Sequence, residues 1–169
     1  EKSDSAFEPR PRYWLLESAV RDRLAEKGWT RRWLMGWRDI CRATDQRTLI
    51  ASVIPAHACG HKILLLFSER EACLSTVLLG CLNSLVCDYI ARQKLSGTSL
   101  TYSVVKQLAV PPPSVYSPSD IESLARRILE LTFTSRALSG FAHDLGYDGP
   151  PFPWDENRRA LLRAELDAW

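Results

Sequence analysis

Glycine is scarce in this sequence, with eight residues among 169, and they do not cluster. The chain accordingly lacks both G-x-G-x-x-G and G-x-x-x-x-G-K-[ST], the patterns whose backbone N–H groups cradle phosphates. It also lacks G-x-S-x-G, the turn that presents a catalytic serine. These absences argue against nucleotide binding through a glycine-rich loop and against a serine hydrolase of that type. We expect no catalytic residue and no cofactor within the chain.

The sequence also lacks the roughly 20 consecutive apolar residues that a membrane-spanning helix needs. Residues 72–87 carry no charge, but this segment is too short and too polar for a span. We find no signal-peptide or lipidation pattern. The five cysteines are odd in number, and three lie in the apolar segment, where cysteine acts as a small hydrophobic residue. We therefore expect a reduced, cytoplasmic protein without membrane contact.

Metal ligands are few. The one tight group of candidates is His57, Cys59 and His61, which would point the same way in an extended chain. A zinc site usually needs four ligands, so we favour a polar loop over a metal site. His143 has no evident Ser or Cys partner for nucleophilic catalysis.

The hydrophobic pattern predicts an α+β fold, in which a small mixed or antiparallel sheet packs on a long central helix, with further helices at both ends. We predict three consecutive strands, in residues 29–42, 47–55 and 61–67. The first segment also fits a helix through its tryptophan spacing, and Gly36 with the aromatic content favours the strand. The central helix is predicted from residue 68 or 69 to Lys94.

The flanking segments are predicted as follows. An amphipathic helix covers residues 13–27 and ends at Gly28. Residues 99–110 form a strand, or a strand followed by one helical turn. Ser117 and Pro118 begin a helix that runs to residues 139–140, a loop covers 141–153, and Asp155 caps a last helix. We divide the chain into an α+β core, 1–113, and a C-terminal helical segment, 114–169, packed on or linked to that core.

Charge is distributed unevenly, although the net charge is only +2. Residues 29–62 carry six Lys and Arg against two Asp and Glu, and residues 88–113 carry three against one. Residues 114–169 carry six against nine. This pattern is compatible with an anionic partner bound by the two central segments. The alternative is a scatter of solvated arginines.

The connection between the first two predicted strands is the main candidate contact surface. If residues 33–42 and 47–55 pair as a hairpin, its tip carries side chains that bind base edges or phosphates. A second basic group ends the central helix, where cations also suit the helix dipole. The predicted DNA-binding residues are Arg38, Arg42, Thr44, Gln46, Arg47, Arg92 and Lys94.

A polar stripe crosses the apolar helix, because Asn83, Ser84, Asp88 and Arg92 recur at helical spacing. Such a stripe either satisfies backbone groups of a neighbouring element or faces a ligand. We favour the first interpretation for Asn83, Ser84 and Asp88, because buried polar groups are usually paired within the protein.

Three strings carry a family resemblance: WLMGWRDICRATDQRTLIASVIP (33–55), LNSLVCDYIARQKLSGTSLTYSVVKQLAVPPP (82–113) and DENRRALLRAELDA (155–168). In order and spacing they resemble bacterial adenine-N6 DNA methyltransferases of the type IIG-like restriction-modification class, which serve in phage defence. Ala109 stands where many of those proteins have proline.

The resemblance implies a DNA-binding, target-recognition segment. In that family a catalytic domain with a glycine-rich S-adenosylmethionine loop and an N-P-P-[YF] motif lies N-terminal, and neither motif is present here. Residues 149–152, Gly-Pro-Pro-Phe, lack the asparagine that would bind the adenine amino group. The implied parent is a site-specific methyltransferase, with or without a fused endonuclease. It would use S-adenosylmethionine and flip a base of double-stranded DNA.

The beginning and end of the sequence fit that interpretation. There is no initiator methionine, and the predicted last helix has no glycine or proline after it. We therefore expect a segment of a longer protein, whose N-terminal methyltransferase domain is a partner in the same chain. The alternative hypothesis is a protein-interaction or scaffold domain without DNA contact, suggested by Trp29, Trp33 and Trp37 and by the acidic C-terminal part.

Overall fold

The computed structural model describes residues 4–7 and 10–169, and within them the chain forms seven α-helices and one antiparallel sheet of three strands. The predicted α+β class is confirmed. The strands are β1 (Trp33–Arg38), β2 (Ala51–Pro55) and β3 (Ile63–Leu66). The helices are α1 (Glu17–Ala25), α2 (Ala72–Leu82), α3 (Leu85–Lys94), α4 (Tyr102–Val105), α5 (Pro118–Thr132), α6 (Ser139–Asp144) and α7 (Glu156–Asp167).

The three predicted strands are present, and β1 lies at the centre in the order β2-β1-β3. The predicted hairpin of β1 and β2 is confirmed, with Trp33 opposite Pro55 and Trp37 opposite Ala51. Every residue from 33 to 37 is buried. Burial at consecutive positions means that both faces of the sheet are covered at its centre.

The prediction of one long central helix is wrong. The helix is broken between Leu82 and Leu85 into α2 and α3, whose axes differ by 62°. Ser84 adopts an extended conformation, and its hydroxyl accepts a hydrogen bond from the Cys87 N–H at 3.1 Å, so it caps α3. Helical spacing of apolar residues continued through the break, which is why periodicity missed it.

No single helix in the described part of the chain has the length and apolar character needed to cross a membrane. The bent pair of α2 and α3 meets the length and composition criteria only when the two helices are taken together.

Helix α5 packs along α2 and begins as predicted. Ser117 and Asp120 form a reciprocal capping box, with Pro118 in the first turn. A Cβ at Gly80 of α2 would lie 2.6 Å from Ile128 Cδ1, so glycine permits the close contact between the two helices. The helix ends at Thr132, before the predicted 139–140, and the next residue, Phe133, is buried.

The remaining elements correct several predicted boundaries. Helix α1 ends before Gly28, whose φ is +66°, but no residue of α1 is buried. Residues 99–110 form no strand, so both predicted alternatives are wrong in that part; one isolated bridge between Ile40 and Ser99 precedes α4, which supplies the predicted helical turn. The predicted loop 141–153 begins inside α6. Asp155 caps α7 as predicted, because its carboxylate accepts a hydrogen bond from the Arg158 N–H.

The two predicted segments of the chain contact each other through α2 and α5. Residues 1–3 and 8–9 of the first segment lie outside the described residues.

Candidate nucleic-acid interface

The connection between β1 and β2 is a folded loop rather than an extended hairpin tip. We call residues 42–47 the tip loop. Asp45 organises it, because its carboxylate accepts a hydrogen bond from the Arg42 N–H at 3.0 Å and its own N–H donates to the Arg42 carbonyl at 3.1 Å. Arg38, at the end of β1, contacts the same carboxylate at 3.3 Å and donates to the Arg47 carbonyl at 3.0 Å.

Asp88 of α3 fixes the chain that leaves the tip loop. One carboxylate oxygen accepts hydrogen bonds from the N–H groups of Thr48 and Leu49, both at 2.8 Å. The other accepts from Arg92 Nε at 2.9 Å, and Arg47 Nε lies 3.7 Å from the carboxylate. We call Asp88, Arg47 and Arg92 the Asp88 latch. The carboxyl group is almost fully buried, so its partners replace the water that it has lost.

The pKa of Asp88 reflects these partners. Burial alone would raise this pKa, because it disfavours the charged form. The hydrogen bonds from Leu49, Arg92 and Thr48, together with the charge of Arg47, outweigh burial and lower the pKa. Asp88 is therefore ionised at neutral pH.

Both arginines of the latch bond to backbone carbonyls. Arg92 donates to the carbonyls of Ala43 and Gln46, at 2.9 and 2.7 Å, and thereby ties the tip loop to α3. Arg47 donates to the Asn83 carbonyl and, at 3.4 Å, to the Ser84 carbonyl, at the end of α2. Only about a quarter of each side chain is exposed, 28% for Arg47 and 25% for Arg92. Their main contacts are within the protein.

Asn83 completes the junction. Its amide oxygen accepts a hydrogen bond from the Ala51 N–H at 3.1 Å, and its amide nitrogen donates to the Ala51 and Leu79 carbonyls, both at 3.0 Å. The side chain thus pairs with the free side of β2 as a neighbouring strand would. The interpretation that these side chains satisfy backbone groups of the adjacent sheet is confirmed for Asn83 and Asp88, which bond to residues at and just before β2. It is wrong for Ser84, whose hydroxyl bonds to the Cys81 carbonyl of α2 and the Cys87 N–H of α3.

The structure brings most of the predicted DNA-binding residues together around the tip loop. Arg42, Thr44 and Gln46 belong to the loop and are exposed, whereas Arg47 and Arg92 hold it in place. The Arg38 side chain is 42% exposed beside the loop. Lys94, the last residue of α3, is exposed and makes no hydrogen bond or ion pair with the described residues.

Sequence reasoning missed the role of Asp45 in the tip loop and the pair of arginines on α7. The role of Asp45 had a local signal, since a short polar side chain in a turn commonly bonds to nearby backbone. Arg159 and Arg163 of α7 line a cleft that Gln46 and Arg47 also line, and their four-residue spacing on a helix was the available signal. No group of three or more His, Cys, Asp or Glu residues in the described part is arranged to hold a metal ion.

No family model, curated protein or solved structure matches this chain. The resemblance to adenine-N6 DNA methyltransferases therefore stays a prediction. Function has to be inferred from the geometry of the loop and its surroundings.

Proposed function

We propose that the chain is a DNA-binding module whose tip loop contacts double-stranded DNA, as the target-recognition segment of an adenine-N6 DNA methyltransferase of the restriction-modification class. The observation that carries the proposal is the combination of an exposed polar loop with a fixed backbone. Arg42, Thr44 and Gln46 present hydrogen-bonding side chains, while Arg92 and Asp88 fix the chain on both sides of them.

A fixed loop favours specific recognition because the cost of ordering it is met during folding and not during binding. Arg and Gln side chains form paired hydrogen bonds to base edges in the major groove, and Thr bonds to bases or phosphates. The tip loop presents all three residue types within five positions, 42–46.

The electrostatics predict modest affinity. Five cations surround the site, but Asp45 and Asp88 each pair with at least one of them. The positive charge that remains unpaired and exposed to solvent comes mainly from Arg42 and Lys94. We therefore expect the isolated chain to bind DNA in the range of nonspecific complexes, about 10⁻⁴ to 10⁻⁶ M, with strong salt dependence.

The partners follow from the resemblance. An N-terminal methyltransferase domain of the same parent chain would bind S-adenosylmethionine and flip the adenine, while this module positions the duplex. A cytoplasmic location fits both a DNA ligand and five cysteines that form no disulfide in the structure.

The test is duplex binding by Arg42→Ala and Lys94→Ala, measured by fluorescence anisotropy from low to moderate salt. Each substitution is expected to weaken binding and to lower the salt-dependence slope by about one, as for the loss of one phosphate contact. Arg126→Ala is the matched control, because Arg126 on α5 is 76% exposed and, among the described residues, pairs only with the exposed Glu122. Arg47 and Arg92 are unsuitable for this test, since their loss would also release the tip loop.

Two results would contradict the proposal. One is a flat titration with duplex DNA at low salt for a sample whose circular dichroism shows a folded protein. The other is an equal loss of affinity in Arg126→Ala and Arg42→Ala, which would indicate nonspecific attraction to any basic surface.

A protein-interaction domain is the second candidate, and a different observation now supports it. Trp33 and Trp37 are buried and Trp29 is half-buried, so the three tryptophans that suggested this hypothesis belong to the core. Residues 13–16, Tyr-Trp-Leu-Leu, are instead 71–77% exposed. Such an exposed apolar run is typical of a contact surface. Sedimentation with and without duplex distinguishes the candidates, because association through residues 13–16 would not respond to DNA.

A further inference from the structure

A second concave surface lies between β2, the α2–α3 junction, α5 and α7, and Gln46 and Arg47 of the tip loop are among its lining residues. We call it the α5–α7 cleft, and its volume is about 760 Å³. This volume falls within the range of small-molecule sites, roughly 300–1,000 Å³. Much of its lining is aliphatic, and these residues are Ile50, Leu79, Ile128, Leu131, Leu138 and Leu166.

Arg159 is fixed in this cleft without a carboxylate hydrogen-bonded to it. Its Nη1 donates to the Leu131 carbonyl at 2.8 Å, and its guanidinium carbon lies 3.7 Å from the centre of the Trp154 ring. Its Nε is buried and donates no hydrogen bond within the described residues. A buried donor without a partner is unfavourable, so an acceptor from outside the chain that reached it would be stabilised there.

Arg163 lies one helical turn further along α7 and also lines the cleft. Burial lowers the pKa of Arg159, and the positive charge of Arg163 lowers it further. Glu156 acts in the opposite direction on Arg159. Asp167, the acid among the lining residues, accepts a hydrogen bond from the Leu85 N–H at 2.7 Å. Two arginines of α7 and an aliphatic wall therefore define the site, and Arg47 also lines it.

We propose that the α5–α7 cleft binds a small amphiphilic anion, with Arg159 and Arg163 bonding its sulfonate, carboxylate or phosphate group and the aliphatic wall covering its apolar body. Guanidinium groups suit such acceptors because their N–H donors match the spacing of anionic oxygens. The site adjoins the tip loop, because Gln46 and Arg47 also line the cleft, but Arg159 and Arg163 belong to neither the tip loop nor the Asp88 latch.

The test compares two fluorescent probes of similar apolar body, anilinonaphthalene sulfonate and the uncharged phenylnaphthylamine. The wild-type chain is expected to bind the sulfonate at least about tenfold more tightly than the neutral probe. Arg163→Ala is expected to weaken sulfonate binding about tenfold, the loss of one charge-assisted hydrogen bond, and to leave the neutral probe unchanged. Arg163 is exposed and makes no hydrogen bond or ion pair with the described residues, so Arg163→Ala is expected to fold.

Two further variants keep the test decisive. Ile50→Glu introduces an acid at a lining position that is 40% exposed, and it is expected to weaken only sulfonate binding. Arg126→Ala, outside the cleft, is expected to change neither probe. Equal affinity for the two probes, or the same loss in Arg126→Ala as in Arg163→Ala, would overturn the proposal. Far-UV circular dichroism and the urea midpoint establish that each variant is folded.

Discussion

The strands β2 and β3 are the two edges of the same sheet, and the backbone groups on their free sides have different hydrogen-bond partners. On β2, the Asn83 amide bonds to both backbone groups of Ala51, and Asp88 bonds to the residues that lead into the strand. On β3, the Tyr102 hydroxyl donates to the Leu65 carbonyl at 2.8 Å. Ile63 and Phe67 at that edge are 38% and 36% exposed.

The difference follows from access to water. The β2 side lies under the α2–α3 junction, where Ala51 is only 7% exposed and side chains supply the partners of its backbone groups. The β3 side is reached by solvent, which can satisfy unpaired groups. Side-chain partners at the β2 edge should therefore contribute much more to stability than those at the β3 edge.

The largest effect is expected at the Asp88 latch. Asp88→Ala leaves the Thr48 and Leu49 N–H groups without acceptors and Arg47 without its charge partner, in a region where both residues 48 and 49 are fully buried. We expect a loss of about 3–5 kcal/mol in the free energy of unfolding, measured by urea denaturation. Glu122→Ala, at a side chain that is 75% exposed, should change it by less than about 0.5 kcal/mol.

The pH dependence of stability tests the same carboxylate. Because the folded-state pKa of Asp88 is lower than its unfolded value, its contribution is present above the unfolded pKa, about 4, and is lost as the pH falls through the folded pKa. The difference in unfolding free energy between wild type and Asp88→Asn should shrink on acidification below about pH 4. A difference that stays constant down to pH 2 would contradict the assignment.

The two edges can be compared directly with one substitution on each. Asn83→Ala removes the partners of both Ala51 backbone groups and should cost about 1–3 kcal/mol. Tyr102→Phe removes one hydrogen bond to a carbonyl at the exposed edge, where water replaces the hydroxyl, and should cost less than about 0.5 kcal/mol. Equal losses in urea denaturation would show that the edges do not differ.

The smallest effect is expected at the N-terminal helix region beside β3. Trp14 is 77% exposed, and no residue of α1 is buried. Trp14→Ser should therefore change the unfolding free energy by less than about 0.5 kcal/mol. Leu49→Ala, at a fully buried position next to β2, should cost about 2–5 kcal/mol in the same assay. A large loss in Trp14→Ser would mean that α1 is bound more tightly than its exposure indicates.

Much of the fold was predictable because its signals are local. The three strands followed from β-branched and aromatic residues, and the caps at Ser117 and Asp155 followed from side chains that bond within their own turn. The break at Asn83 and Ser84 was not predicted. Its cap is local, but the reason for the bend is the bonding of Asn83 to β2, 32 residues away in sequence.

At the candidate site, too, contacts between distant segments could not be predicted from the sequence. The sequence indicated that Thr44 and Gln46 share a turn, with Arg38, Arg42 and Arg47 close to it. The sequence also indicated that Arg92 is a nearby cation. It did not indicate that the Arg92 guanidinium donates hydrogen bonds to carbonyls of the tip loop itself. The direction in which a guanidinium points depends on contacts across 46–49 residues, and periodicity carries no such information.

The sequence by itself determined the α+β class, the three strands along the chain, and the starts of α5 and α7, because these depend on side chains within a few residues of one another. The tertiary structure alone decided which arginines face solvent and which are bonded to backbone carbonyls. It also decided where the central helix bends and how Arg159 and Arg163 meet an aliphatic wall. Those outcomes depend on buried backbone groups that must find partners from distant segments.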